Sequence, residues 1–352
     1  MSHCCFTRRH LLQGVGTLAI TAGCSNEPYA QPVAPEAAAA PPHRIDVHHH
    51  ILPPKYLSVA RERLLSFAPS FAAVLNWTPA QSLEQMDRFG IRTALTSLSN
   101  PGTWLGDAVE ARTLARMANE YAADMARDYP GRFGVLASLS LPDIDGSLRE
   151  IEYALDVLQA DGIALLTSYG DKWPGDPAFA PLFEELDRRG AVVYFHPTSA
   201  DCCSALIKDV PAPAIEYMFD TTRAITSLLF SGSFSKYRKA KFIFSHAGGA
   251  TAPIVERIAR LATLDKEVAA RLPDGALADM KRLYFDTATS TRPENLGAIL
   301  RLASVEKILF GSDYPFLPVQ ATLPGLLQFG FTAQDLARVE RQNALQLFPR
   351  LR

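Results

Sequence analysis

The chain has 352 residues, of which 48% are hydrophobic and 20% are charged, and its formal net charge is −2. This composition is typical of a soluble globular protein that is long enough for one large barrel or two average domains. No basic run suggests nucleic acid as a partner, and the near-neutral charge favours a small-molecule site over an electrostatic partner surface.

The first 24 residues have the pattern of an export signal. Thr7–Leu12 is a twin-arginine motif, and Gly14–Ala22 is a mildly apolar segment, too short and too rich in Gly and Thr to span a bilayer permanently. Ile20–Cys24 is similar to a lipoprotein cleavage box, although Thr21 stands where an aliphatic residue is usual. We therefore expect export by the twin-arginine route, to the periplasm or to a membrane through a lipid anchor at Cys24.

Residues 25–43 are expected to form an Ala- and Pro-rich linker, and residues 44–352 the folded catalytic domain. Of the 5 cysteines, only the adjacent pair Cys202 and Cys203 lies in that domain. A disulfide between two adjacent cysteines cannot cross-link distant parts of the chain, and no CxxC motif occurs. The sequence therefore supports neither a disulfide framework nor a thiolate zinc site.

From Arg44 onward, apolar runs alternate with amphipathic helical stretches. Eight β/α units in series favour a (β/α)8 barrel over an open doubly wound sheet, which stays an alternative because counting strands does not prove closure. The strand candidates are Arg44–His50, Thr93–Ser99, Phe133–Ser140, Gly162–Ser168, Val192–Pro197, Phe242–Ala247, Leu283–Ala288 and Ile308–Pro315. Helices are expected at Asp107–Tyr129, Ser147–Ala160, Ala180–Arg189 and Pro253–Leu264. Glycines that end helices are expected at Gly90, Gly131, Gly162 and Gly190. A long loop that shapes the pocket is expected at Leu52–Thr78.

Several of these runs end in a histidine or an aspartate. His48 and His50 are two residues apart, so both side chains share one face of the first strand and His49 points the other way. His196 ends the fifth run, and Asp313 ends the eighth. Because the C-terminal ends of all barrel strands meet on one face, these groups predict a mononuclear metal site there.

Two of the polar strand-end residues have alternative interpretations. His246 is either a further ligand or a general base. Asp313 either caps the turn that follows it, or ligates a metal and accepts a proton from bound water. Of the 8 histidines, all except His3, His10 and His43 belong to this constellation, which indicates that histidine is concentrated for function.

The region from about Arg44 to the C-terminus resembles the amidohydrolase-related family of metal-dependent decarboxylases, of which aminocarboxymuconate-semialdehyde decarboxylase is the archetype. It is most similar to the 6-methylsalicylate type, in the segments IDVHHHILPP, GRFGVLASLSLPD, DGIALLTSYG, GAVVYFHPTS, FIFSHAGGA and ILFGSDYPF. The resemblance implies a (β/α)8 TIM barrel of the metal-dependent hydrolase superfamily that holds one divalent metal ion, commonly zinc and in some members manganese.

By motif, the resemblance implies that His48, His50, His196 and Asp313 hold the metal. His246, in the segment S-H-A-G-G, matches the histidine that polarises metal-bound water or protonates the substrate. The resemblance thus implies two catalytic residues, His246 and Asp313, of which Asp313 is also a ligand.

Two arginines are candidates for binding a substrate carboxylate. Arg257 matches a family arginine that reaches into the neighbouring subunit's site, which implies a homodimer; its alternative is a solvated arginine on a helix face. Arg223 is a second candidate. In the aminocarboxymuconate enzymes another arginine follows a tryptophan, and here Ser82 occupies that place, which argues against that substrate itself.

The expected reaction is non-oxidative decarboxylation of an aromatic or related unsaturated carboxylic acid, in which His246 or Asp313 protonates the ring carbon. The main alternative is mononuclear metal-dependent hydrolysis of a lactone, ester or amide, because a fold does not fix a reaction. A third is an exported metal-binding or sensing protein without turnover, and retention of both His246 and Asp313 argues against it. Ala164–Ser168 offers no lysine for a carbamylated bridge, which favours a single metal.

Overall fold

The computed structural model of the protein describes residues 43–203 and 206–352. The expected signal peptide, Cys24 and the linker up to residue 42 lie outside the described residues. The proposed division of the chain into signal, linker and domain therefore stays a prediction.

Eight parallel strands form the centre of the domain, and each pairs with the next one along the chain. The last strand returns to the first through backbone hydrogen bonds, from Val47 N to Phe310 O (3.0 Å) and from Asp313 N to His48 O (2.8 Å). The (β/α)8 barrel is thus confirmed. Its strands are β1 (Arg44–His50), β2 (Ile91–Ser97), β3 (Phe133–Ser138), β4 (Gly162–Leu166), β5 (Val192–His196), β6 (Lys241–Phe244), β7 (Tyr284–Asp286) and β8 (Ile308–Leu309).

Helices occupy most of the segments between the strands. Polar caps begin several of them; for example, Thr78 and Gln81 form a reciprocal capping box at the start of α2. The helices are α1 (Pro54–Phe67), α2 (Pro79–Arg88), α3 (Ala108–Asp128), α4 (Ile144–Glu152), α5 (Ala180–Arg189), α6 (Ala212–Phe230), α7 (Ser233–Lys236), α8 (Thr251–Leu264), α9 (Lys266–Arg271), α10 (Ala276–Met280), α11 (Pro293–Leu302), α12 (Leu323–Gln328), α13 (Ala333–Ala337) and α14 (Asn343–Leu347).

Two sequence-based expectations about local structure are wrong. The segment Leu52–Thr78 is not a loop, because Pro54 begins the 14-residue helix α1 and a 3-10 helix follows at Pro69–Val74. Gly162 does not end a helix but lies in β4, where an added Cβ would lie 2.7 Å from the carbonyl oxygen of Val192. A glycine is needed there for close strand packing and not for a left-handed turn.

Two apolar clusters stabilise the barrel. The larger joins the outer faces of the strands to the surrounding helices. The smaller collects residues from all eight strands, among them Ile45, Tyr194 and Leu309, together with Phe348 near the C-terminus. Side chains from all strands can meet only inside the barrel, so this second cluster fills the interior below the site. Among the described residues, no helix has the length and apolarity that a membrane crossing requires.

Candidate active site

Four buried side chains converge at the C-terminal ends of the barrel strands: His48, His50, His196 and Asp313. Their potential ligand atoms all lie within 4.8 Å of one another. The Nε2 atoms of His48 and His50 are 3.0 Å apart, and each lies 3.2 Å from Oδ1 of Asp313. The structure therefore brings together all four residues that the sequence indicates as metal ligands.

The four imidazoles of the site are held in a common way. In each ring the Nδ1–H donates to an oxygen of the protein, and Nε2 is left facing the centre. Such outer partners fix the tautomer and orientation of metal-binding histidines. The acceptors are the Asp286 carboxylate for His48 (2.9 Å), Ser97 O for His50 (3.3 Å), Pro197 O for His196 (2.8 Å) and Ala288 O for His246 (3.0 Å).

His246 belongs to the same centre but not to the tight cluster. Its Nε2 lies 3.8 Å from Oδ2 of Asp313, whereas the histidines of β1 contact the other carboxylate oxygen, Oδ1. One carboxylate therefore contacts the cluster of histidines through Oδ1 and His246 through Oδ2. This arrangement suits an acid/base group placed beside the proposed metal site, and the role of His246 stays a prediction.

Asp286, at the end of β7, is a residue that the sequence reasoning missed. Its Oδ2 accepts from His48 Nδ1 and from the hydroxyl of Tyr194 (3.0 Å). Its Oδ1 accepts from the backbone N–H groups of His246 (2.9 Å) and Ala288 (3.0 Å). Asp286 therefore positions both His48 and His246. The only signal in the sequence was an aspartate at the end of the seventh apolar run.

His49 points away from the centre, as expected. Its Nδ1–H donates to Asp46, its Nε2 accepts from the Ser82 hydroxyl (2.8 Å), and Trp77 Nε1–H donates to the same hydroxyl (2.9 Å). Ser82, which stands in place of a family arginine, is thus fully buried and links α2 to the first strand. It has a packing role and no free polar atom to offer a substrate.

The backbone at the site is strained in a way that aims the side chains. His246 (φ 52°) and Asp313 (φ 66°) both have left-handed conformations, which non-glycine residues adopt only when their surroundings hold them. Close packing continues at Gly311, where an added Cβ would lie 2.8 Å from Cβ of His48. The backbone of these strand ends therefore aims both side chains at the common centre.

The four buried histidines differ in the direction in which their surroundings shift the pKa. Burial opposes protonation of His48, but the carboxylates of Asp286 and Asp313 outweigh it and raise the pKa of His48 to about 10. Burial lowers the pKa of His50, His196 and His246 below the usual imidazole value. The centre thus contains neutral imidazoles around a positive His48, whose proton a bound cation would displace.

The family profile of the amidohydrolases matches residues 45–350. The chain belongs to this family. Decarboxylase yanB of Aspergillus niger is 38% identical over 326 residues, which cover 87% of this chain and 88% of that protein. The 6-methylsalicylic acid decarboxylase of Penicillium expansum is 35% identical over 319 residues, covering 88% and 97%. The predicted resemblance is confirmed.

A solved structure shows the same fold. It is a dihydroxybenzoic acid decarboxylase from Polaromonas sp., crystallised with manganese and the inhibitor 2-nitroresorcinol. The TM-score is 0.76 at 22% identity, and the match covers 88% of this chain and 98% of that one.

The donor set fits one divalent metal ion. Three imidazole nitrogens and a carboxylate oxygen within 4.8 Å of one another can surround a single ion of the zinc or manganese type. Each imidazole already presents the nitrogen that would bind, because its other nitrogen is engaged.

A cavity of about 1050 Å³ lies on the same face of the barrel, and the described residues that line it include none of the four proposed ligands. It begins at Asn100 and Thr198, which are hydrogen-bonded to each other and directly follow β2 and β5 on the active-site face. The segment around Phe67 and Pro69 lines it, as predicted for this region of the chain. Two cations that the sequence reasoning missed, Arg63 and Lys208, also line the cavity.

The structure does not bring the two predicted arginines into this cavity. Arg223 lies on α6, where Nη1 is 3.8 Å from Oε2 of Glu216 and, within the part of the chain that is described, lacks a hydrogen bond. Arg257 is exposed on α8 and makes no ion pair with the described residues. Their roles in substrate binding stay predictions, and for Arg257 the relevant site would be that of a second subunit.

Proposed function

We propose that the protein is a metal-dependent carboxy-lyase that removes the carboxyl group of an aromatic or related unsaturated acid without oxidation. The observation that carries the proposal is the convergence of three histidines and Asp313 with His246 facing the same centre. Decarboxylases that are 35% and 38% identical over most of this chain support it. Hydroxybenzoates of the 6-methylsalicylate type are the first substrates to test.

His48, His50, His196 and Asp313 would hold the ion, and we infer that this ion is zinc. Imidazole-rich sites bind zinc more tightly than manganese when geometry is equal. Manganese in the related Polaromonas structure makes it the other outcome of metal analysis. When bound, a divalent ion supplies Lewis-acid stabilisation of negative charge on the substrate.

The reaction breaks the bond between the ring carbon and the carboxyl carbon, and the electron pair stays on the ring carbon until a proton arrives there. We assign the delivery of that proton to Nε2 of His246, because Nδ1–H is held by Ala288 O and only Nε2 is free to exchange protons. The neutral ring first takes up a proton at Nε2 from solvent water and then passes it to the ring carbon, and Oδ2 of Asp313, 3.8 Å away, would stabilise the imidazolium while it carries the proton. The buried surroundings limit competition from water.

The test incubates metal-loaded protein with a panel of hydroxybenzoates and measures both carbon dioxide and the decarboxylated arene. The His246→Ala variant, loaded with the same metal, is the control for reaction at the site. If lactones, esters or amides are consumed and carboxylic acids are untouched, the decarboxylase proposal is wrong and hydrolysis replaces it.

We also propose that the active unit is a homodimer in which Arg257 reaches the partner's site. On α8, Ile254, Leu261 and Leu264 are exposed at helical spacing around Arg257, and Phe219 on α6 is exposed as well. An exposed apolar stripe of this kind suits a second copy of the chain. Mixing the inactive variants His246→Ala and Arg257→Ala should restore part of the activity; a fully active monomer would exclude the proposal.

Export by the twin-arginine route, with the periplasm or a membrane as the destination, is a further proposal. It rests on the Thr7–Leu12 motif and on the lipoprotein-like box that ends at Cys24. Fractionation of cells that produce the full chain, with labelling by a fatty-acid analogue, separates an acylated Cys24 from a freely released protein.

A further inference from the structure

Cys202 and Cys203 form a pair of neighbouring thiols near the 1050 Å³ cavity. They follow β5, on the same loop that carries Ser199 and Asp201 into the cavity lining. Cys202 is exposed and Cys203 is partly exposed. Neither thiol therefore serves as a packed core residue, and neither belongs to the metal cluster.

The backbone brings the two thiols together. In an extended chain, adjacent side chains point to opposite faces and their sulfurs diverge. Here residues 201–203 form a turn, with a hydrogen bond from Cys203 N to Ala200 O (2.9 Å). As a result the two Sγ atoms are only 2.6 Å apart.

Neighbouring contacts hold this turn in place. Cys202 N donates to the Asp171 carboxylate (2.8 Å), and Asp171 lies in the loop after β4. The preceding N–H, of Asp201, points at Gly170 O in that loop (3.5 Å). Both loops line the cavity, so the thiol pair lies at the junction of two cavity walls.

We propose that Cys202 and Cys203 are a reversible redox modification site, at which a small disulfide such as oxidised glutathione converts the two thiols into a vicinal disulfide. The proximity and exposure of the sulfurs carry the inference. The contact with Cys203, with a contribution from Asp171, raises the pKa of Cys202 to about 12. The product, a vicinal disulfide, is the same whichever thiol attacks first.

The exchange balances in two steps. When Cys203 attacks first, its thiolate attacks one sulfur of the oxidised glutathione, which releases one glutathione thiolate and leaves a mixed disulfide on Cys203. Cys202 then loses its proton to the solvent and attacks Sγ of Cys203, which releases the second glutathione. The protein dithiol is oxidised by two electrons, and one glutathione disulfide is reduced to two thiols.

The experiment uses the full-length protein, reduced, desalted and then incubated with oxidised glutathione before free thiols are blocked with iodoacetamide. Trypsin cleaves after Arg189 and Lys208, and the peptide from Gly190 to Lys208 contains both cysteines and no other. We expect this peptide to lose two hydrogen atoms and to take up no label until it is reduced. A peptide that carries two alkyl groups, two glutathiones or a link to another cysteine would overturn the proposal.

Two single variants are the matched controls. Cys202→Ser and Cys203→Ser cannot close the ring, so each should stop at a glutathione adduct on the remaining thiol. Equal resistance of both variants to glutathione would show that the pair is inaccessible and would also overturn the proposal. Circular dichroism checks that each variant is folded.

Discussion

Replacement of Asp286 by Asn tests whether this carboxylate sets the orientation of His48. The amide oxygen can keep the two bonds from the N–H groups of His246 and Ala288. The amide nitrogen then faces His48 Nδ1 and the Tyr194 hydroxyl, and both of these are donors in the wild type. To avoid two donors in contact, His48 must give up its Nδ1 proton and keep a proton on Nε2, the nitrogen that faces the other ligands.

The size of the effect follows from this change of tautomer. Loss of an outer partner of a metal ligand typically weakens metal binding by about 10–100-fold, which is about 1.4–2.8 kcal/mol. Asp286→Asn should reach the upper part of this range, because the variant both removes the acceptor and selects the wrong tautomer. The change also leaves a buried donor unpaired, which costs about 1–3 kcal/mol of folding stability.

Tyr194→Phe is the matched control. It removes one hydrogen bond to the same Oδ2 but leaves the carboxylate and its bond to His48, so its effect on metal affinity should be smaller than that of Asp286→Asn. Metal affinity is measured on metal-free protein by competition with a chromophoric chelator, beside thermal unfolding of each variant. The positioning role of Asp286 is refuted if Asp286→Asn binds metal as tightly as the wild type. It is also refuted if Tyr194→Phe binds metal more weakly than Asp286→Asn.

Three further predictions concern the site and the N-terminus. His246→Ala should keep its metal, since this ring is outside the tight cluster, but should lose about 10²–10⁴-fold in turnover; loss of metal would instead make His246 a ligand. His48→Ala combined with His196→Ala should abolish stoichiometric metal in elemental analysis, and full occupancy would remove both from the ligand set. Replacing Arg8 and Arg9 by Lys should trap the precursor in the cytoplasm, and unchanged export would contradict the twin-arginine assignment.

The convergence of the four proposed ligands can be predicted from the sequence because the information is local. Each of His48, His50, His196 and Asp313 follows a buried apolar run, and barrel topology then dictates that strand ends meet. The same argument gives the direction of His49, since neighbouring side chains on a strand point to opposite sides.

The positioning residues could not be found in this way. The bond between His48 and Asp286 joins residues 238 positions apart, and an aspartate in the run LYFDTA reads equally well as the start of a turn. The placement of Arg223 and Arg257 depends on how α6 and α8 are rotated about their axes. Helical periodicity predicts the buried face of a helix but not the exact direction of one side chain. The helix at Pro54–Phe67 was missed because two prolines and scattered aromatic residues suggested a loop.

The junction between the first and the last strand of the barrel has a consequence for the synthesis of the chain on the ribosome. Asp46 accepts from the backbone N–H and the hydroxyl of Ser312, which is 266 positions away, and the proposed ligands on β1 and Asp313 are neighbours of these two residues. During translation, His48 and His50 therefore leave the ribosome long before their carboxylate partner exists. The complete set of proposed ligands is available only when the domain has been made almost in full, so we expect that an ion can bind with all four ligands only once the barrel is complete.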